Sequence, residues 1–284
     1  SHMEVYRGAN AVEYGGTALG GAINLVSRTG RTDPGTAVEL SGGSFDQRLV
    51  EVSHGAANAQ NDYHIVGTFS ESNGFRNFNE SRRGVIGGNV GFAHDNGGET
   101  RLYMEYADLN FDIPGPLNRQ QLRDDPKQIN RGIVPPPPPP QQAGSESVGP
   151  NVVRDRPERD SRFTRAAIQT TLPRSFGRLS AGFGYQRGDD TFFSPTAARV
   201  TDSDDLSAQA SLDIDPLPTN GKLSLGIDLA AGEMEREFKA NEEGKVGRTF
   251  ASNDLTATNA MLFGDYRQPL SQRWTFVSAV QLIH

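Results

Sequence analysis

Polar and apolar residues alternate along most of this chain with a period of two. Leu179, Ala181, Phe183 and Tyr185 fall on one side of an extended strand, and Arg178, Ser180, Gly182, Gly184 and Gln186 on the other. Leu206, Ala208, Ala210, Leu212 and Ile214 oppose Ser207, Gln209, Ser211 and Asp213. Leu223, Leu225, Ile227 and Leu229 oppose Lys222, Ser224, Gly226 and Asp228. Each such strand has one wet face and one apolar face. The pattern predicts strands over residues 36–42, 48–56, 63–72, 83–94, 99–109, 162–172, 178–187, 206–214, 222–235, 255–267 and 274–284, about eleven in all. Ahead of them, two shorter β-prone runs, 4–6 and 21–27, flank a Gly-rich stretch of small residues.

Alternation alone fits a soluble sheet, because one face of a sandwich sheet is also buried. Length separates the two cases. Strands in soluble sheets favour about five or six residues, whereas strands that cross a membrane need about nine to eleven. Connection lengths point the same way. The second, fourth, sixth, eighth and tenth connections are tight (58–62, 95–98, 173–177, 215–221 and 268–273). The third, fifth, seventh and ninth (73–82, 110–161, 188–205 and 236–254) are longer and richer in charge. Only the first, 44–47, breaks the rhythm. Short turns at one rim and long loops at the other mark an outer-membrane barrel. A soluble or surface-displayed β-sandwich binding protein is the alternative, and it has no reason to sort its loops by parity. The residues thus predict an all-β fold, an antiparallel transmembrane β-barrel.

Composition agrees with that reading. Hydrophobic residues are 35% of 284 and the mean hydropathy is -0.56, poor for a soluble core but compatible with a barrel, whose apolar residues come every second position. There is no apolar run long enough for a spanning helix. A formal net charge of -7, without a basic stripe, excludes nucleic acid as a partner. The absence of cysteine excludes disulfides and thiolate metal sites. No catalytic constellation emerges. His54, His64 and His94 are scattered, and Gly42-Gly43-Ser44-Phe45-Asp46 lacks the closing glycine of a nucleophile elbow. The sequence therefore predicts a non-enzyme with no catalytic residues, no metal site and no cofactor. Ser1-His2-Met3 reads as an expression scar.

The Gly-rich stretch carries the most specific motif. It runs Glu-Val-Tyr-Arg-Gly-Ala-Asn-Ala from Glu4, then Tyr14-Gly15, then Leu-Gly-Gly-Ala-Ile-Asn-Leu-Val-Ser from Leu19 to Ser27. Gly15 and Gly20 have phosphate-loop spacing, but Gly21 and Ala22 stand where such a loop needs Lys and Ser or Thr. This order resembles the end of the plug domain of TonB-dependent outer-membrane receptors, especially the branch that includes the ferric-dicitrate receptors. Arg7, Gly8, Tyr14, Gly15, Gly20, Gly21 and Asn24 carry the resemblance. Receptors of this family are similar in lodging an N-terminal plug inside a 22-stranded barrel, the size of plugged outer-membrane transporters. About eleven of an expected 22 strands would then be present, preceded by the end of the plug. The implied organisation is a plug end over 4–33 and the first half of a barrel over 34–284, with 110–160 as a long extracellular loop. The resemblance further implies a bacterial outer-membrane location, contact with lipid, TonB as partner of the full-length parent, and energy-coupled uptake of a ferric chelate (ferric citrate or a siderophore) as transported ligand. It also implies that Arg7 pairs with barrel carboxylates. A half-barrel exposes two strand edges, so self-association or detergent is expected to be needed for stability.

The long loop has its own features. Phe111 to Asp125 reads FDIPGPLNRQQLRDD and resembles the third extracellular loop of the same receptors. Within it Asn118 is placed to cap a helical turn, with Gln121 completing a capping box. A hexaproline run, 135–140, predicts a polyproline II spacer. Arg119, Arg123, Arg131, Arg154, Arg156 and Arg159 are candidates for clamping chelate carboxylates bidentately. The commoner fate of such a mixed charge run, interleaved with Asp155, Glu158 and Asp160, is a solvated face that neutralises itself.

Overall fold

The computed structural model describes residues 2–6, 21–132, 150–215, 217 and 219–284. Strands β1 (His2–Tyr6) and β2 (Ala22–Val26) pair antiparallel as a small sheet. The segment set aside as a scar therefore contributes His2 and Met3 to β1. A second sheet has 11 strands: β3 (Gly35–Gly43), β4 (Gln47–Ala57), β5 (Asn61–Ser72), β6 (Ser81–Ala93), β7 (Glu99–Asp112), β8 (Glu158–Arg174), β9 (Gly177–Phe193), β10 (Ala197–Ile214), β11 (Lys222–Asn241), β12 (Val246–Pro269) and β13 (Thr275–Ile283). Every strand is hydrogen-bonded to its neighbours in sequence, all antiparallel, and β3 and β13 are the open edges. No second large sheet stacks on this one among the described residues. The sandwich alternative is thereby excluded.

Register turns the alternation into two continuous surfaces. Asp62, Gly91, Arg101, Gln169, Gly182, Gln209 and Asp228 are successive partners across β5 to β11. One residue further along β5, the row becomes Tyr63, Val90, Leu102, Ile168, Phe183, Ala208 and Leu229. The first row is polar and the second apolar. A one-residue slip would exchange them on every strand, so the pattern itself fixes the pairing. On β10 the apolar face runs unbroken from Leu206 to Ile214. At about 3.3 Å per residue that is roughly 26 Å of strand, the scale of the lipid-facing band of a membrane barrel.

The polar face holds the chain that enters from β2. Asn24, Ser27 and Thr29 line a cavity of about 930 Å³ together with Arg101, Tyr103, Gln209 and Asp228 of the large sheet. The turns at 58–60, 94–98, 175–176, 215–221 and 270–274 form one rim. The opposite rim carries the described parts of the long connection, 113–132 and 150–157, with the short helices α1 (Arg119–Asp124) and α2 (Val152–Asp155).

Two connections predicted as long loops, 188–205 and 236–254, are strand. β9 and β10 continue to a turn at 194–196, and β11 and β12 to a turn at 242–245. Charge does not mark a loop there: above the apolar band both faces of a strand are wet, so alternation disappears while the hydrogen-bonded ladder continues. The sorting of connections by length thus rests on 73–80 and 113–157 alone. What distinguishes the long-loop rim is strand extension, with β11 reaching 20 and β12 24 residues against 9 in β3.

Candidate functional site

The extended strands β8 to β11 bring arginines and aromatic rings together on the polar face, close to the long-loop rim. Arg159, Phe192, Arg199 and Phe238 are successive partners in one row. Ser161, Asp190, Thr201 and Arg236 form the next. Asp190 is the hub. Arg159 donates to it from Nε at 2.7 Å, and Arg199 approaches its other oxygen at 3.8 Å. The Arg199 guanidinium lies over the Phe192 ring, 5.3 Å from its centre, and Arg165 lies over Phe163 at 4.7 Å. Such stacking orients a planar cation while leaving its edge free to donate.

The donors are not all used. Nε of Arg199, Nε of Arg236 and Oγ1 of Thr201 are buried atoms without a hydrogen-bond partner among the described residues. Thr201 itself is only 8% exposed. An orphaned buried polar group costs free energy and needs an explanation, such as a ligand or a water that completes it. One carboxylate shared by two arginines, with Arg236 one row away, leaves the patch cationic. Its chemistry suits an anion with several acceptor oxygens and an apolar flank.

The predicted arginines divide. Arg159 belongs to this patch. Arg154 is paired with the buried Asp155, Nε to Oδ1 2.6 Å, and Arg156 takes a left-handed backbone at the C-cap of α2. Arg119 and Arg123 lie on α1 and Arg131 just beyond, all exposed on the loop. The capping box is present as expected: Asn118 Oδ1 accepts from Gln121 N, and Gln121 Oε1 accepts from Asn118 N, both at 2.9 Å. Arg7, Gly8, Tyr14, Gly15 and Gly20 lie outside the described residues, as does the hexaproline run. Gly21 precedes β2 with φ 132°, a conformation that excludes most side chains. Asn24 in β2 donates to Glu4 of β1 at 2.9 Å, which ties the small sheet together.

Arg199 and Arg236 escaped the sequence reading because they sit in stretches assigned to loops. Carrying the alternation of β10 back from Gln209 and Ser207 through Asp205 and Ser203 places Thr201 and Arg199 on the same polar face. That signal was present. Arg76 gave none. From the 73–80 connection it donates to the carbonyls of Gly115 (2.7 Å), Pro114 (3.0 Å) and Gln128 (2.8 Å), pinning the long loop. Burial lowers its pKa from the ordinary value. At the loop's other end Asn241 donates to the carbonyls of Asp155 and Ser194, each at 2.8 Å. Ile129, Val152, Phe193 and Ala198 are buried in this region. The described part of the loop is a packed structure.

No family model matches the chain. Solved structures share its fold. The ferric-catecholate import receptor Fiu of E. coli K12, in its open form, matches with a TM-score of 0.73 and 11% identity, over 99% of this chain and 49% of the receptor. The unliganded ferric citrate transporter FecA matches with a TM-score of 0.75 and 15% identity, over 99% of this chain and 42% of that one. The ferripyoverdine receptor of the outer membrane of Pseudomonas aeruginosa, bound to ferripyoverdine, matches with a TM-score of 0.72 and 13% identity, over 99% and 41%. This chain therefore spans less than half the length of each. Its fold is that of a portion of a TonB-dependent siderophore-receptor barrel, with the sheet left open.

Proposed function

We propose that this chain is the plug end (4–33) and first half of the barrel (34–284) of an outer-membrane receptor for energy-coupled uptake of a ferric chelate, ferric citrate or another siderophore. The observation that carries the reading is the cationic, aromatic-flanked patch around Asp190, with its unpartnered donors at Arg199, Arg236 and Thr201. It lies on the face that a barrel turns toward its lumen, beside the long-loop rim. A ferric chelate with carboxylate or catecholate oxygens supplies the acceptors that these donors lack. The receptors that share the fold bind ligands of that class, which supports the assignment. The apolar band faces outer-membrane lipid, the long-loop rim faces outward, and TonB supplies the energy in the full-length parent. No resident cofactor or metal is required, since the chelate is cargo. The edges β3 and β13 find their partners in the rest of the barrel.

The test is an equilibrium titration of the full-length receptor, extracted in detergent, with ferric citrate and a panel of ferric siderophores. Saturable binding of one iron-loaded chelate, with the metal-free form much weaker, is expected. Absence of binding to every iron-loaded chelate retires the assignment.

A further inference from the structure

The polar face carries a second ionic cluster at the opposite rim, and its construction differs. Asp62 on β5 has no exposed side-chain surface, and Arg101 on β7 only 6%. Arg101 grips both oxygens of Asp62, Nη1 to Oδ1 at 2.9 Å and Nη2 to Oδ2 at 2.8 Å. Its Nε donates to Glu99 at 2.8 Å, and Nη1 also reaches Oδ1 of Asn89. What the pair holds is chain that comes from β2. The Gly30 amide donates to Asp62 Oδ1, and Arg31 Nε to Asp62 Oδ2, each at 3.1 Å. Asn89 Nδ2 donates to the Arg28 carbonyl at 2.8 Å, and Arg31 Nη1 to the carbonyl of Asn58 in the β4–β5 turn at 3.0 Å.

Steric fit closes the same contact. A methyl group on Gly30 would collide with the carbonyl oxygens of Ala56 and Tyr63, and one on Gly55 with the carbonyl of Asp33. The connector lies in a slot that only glycine permits. A buried ion pair is a weak source of stability, because desolvation offsets most of its attraction, but removing one partner strands a buried charge. Its use here is to specify position.

We propose that the Arg101–Asp62 pair is a tether that keeps residues 28–33 seated on the barrel wall while the chain ahead of Arg28, including β1 and β2, moves relative to it. Arg101 is a positioning residue: it holds Asp62 so that both carboxylate oxygens can accept from the connector. Displacement of β1 and β2 thus stops at the seated segment 28–33 and is not transmitted to β3. The relevance of this stop to transport rests on the receptor reading above. The tether itself does not.

Hydrogen exchange of the full chain in detergent, followed at increasing urea, tests it. Residues 30–33 are expected to open together with β4 and β5, while residues 3–6 and 22–26 open at lower urea. Arg101→Met should move 30–33 into the early group and speed their exchange by about a hundredfold. Opening of 30–33 with 22–26 in the unaltered protein, or unchanged protection in Arg101→Met, overturns the tether. Should Arg101→Met unfold the sheet, Gly30→Ala leaves the ion pair intact and must free 30–33 with β4 and β5 still protected. Continued protection there overturns it equally. The exchange is read without a chelate, so a negative chelate titration with a protected connector retires the receptor reading alone.

Discussion

The two arginine–carboxylate clusters occupy the same face of one sheet and have opposite characters. At the short-turn rim, Arg101 and Asp62 are almost wholly buried, and the guanidinium and carboxylate are bound on every side by neighbours. At the long-loop rim, Asp190 is shared at 2.7 and 3.8 Å by two arginines, and buried Nε atoms of Arg199 and Arg236 have no partner among the described residues. A satisfied network specifies one conformation, whereas an unsatisfied one is completed by something that arrives. On the proposed function, the same residue types serve position at one rim and reception at the other.

Substitutions can break this contrast. Arg101→Met leaves the buried Asp62 with only Arg31 as a charged partner, and should destabilise the folded sheet by up to about 3–5 kcal/mol, read as a lower urea midpoint in detergent. A small loss would mean that the base cluster is as open as the mouth. Next in size, Leu229→Arg puts a charge on the apolar face at mid-band and should cost about 2–4 kcal/mol in refolding into bilayers. The neighbouring Asp228→Asn, on the polar face, should cost far less. Equal penalties would deny that the two faces meet different solvents. Arg76→Ala removes donors from three loop carbonyls and leaves them short of partners, a loss of about 1–3 kcal/mol confined to the loop. Limited proteolysis should then cut within 113–132 much faster, with the urea midpoint of the sheet unchanged.

Strand number and facing were legible in the sequence because the apolar and polar faces of the sheet impose opposite demands on alternate residues. Leu206 to Ile214 and Leu223 to Leu229 lie on the side that the alternation assigned. Legibility ended where that constraint ended. Beyond the apolar band Asp202, Asp204 and Glu235 replace the leucines, and strand there is indistinguishable by pattern from charged loop. The same blindness hid most of the patch: Arg159 lay in a recognisable charge cluster, but Asp190, Arg199, Thr201 and Arg236 lay in the misassigned stretches. Arg154, in the same charge run, is paired with the buried Asp155. Arg76 and Asp62 were invisible for another reason. Each makes contacts across 30 residues or more of sequence, and no local pattern records such a partner.

The mouth patch is tested most directly by titrating the full-length receptor carrying Arg199→Ala and Arg236→Ala together, against the iron-loaded chelate that the unaltered receptor binds. Loss of two charge-assisted contacts, each worth about 1.5–3 kcal/mol, predicts an affinity at least roughly a hundredfold weaker, with the urea midpoint of the barrel unchanged. Undiminished affinity would contradict the account and place the chelate elsewhere on the receptor.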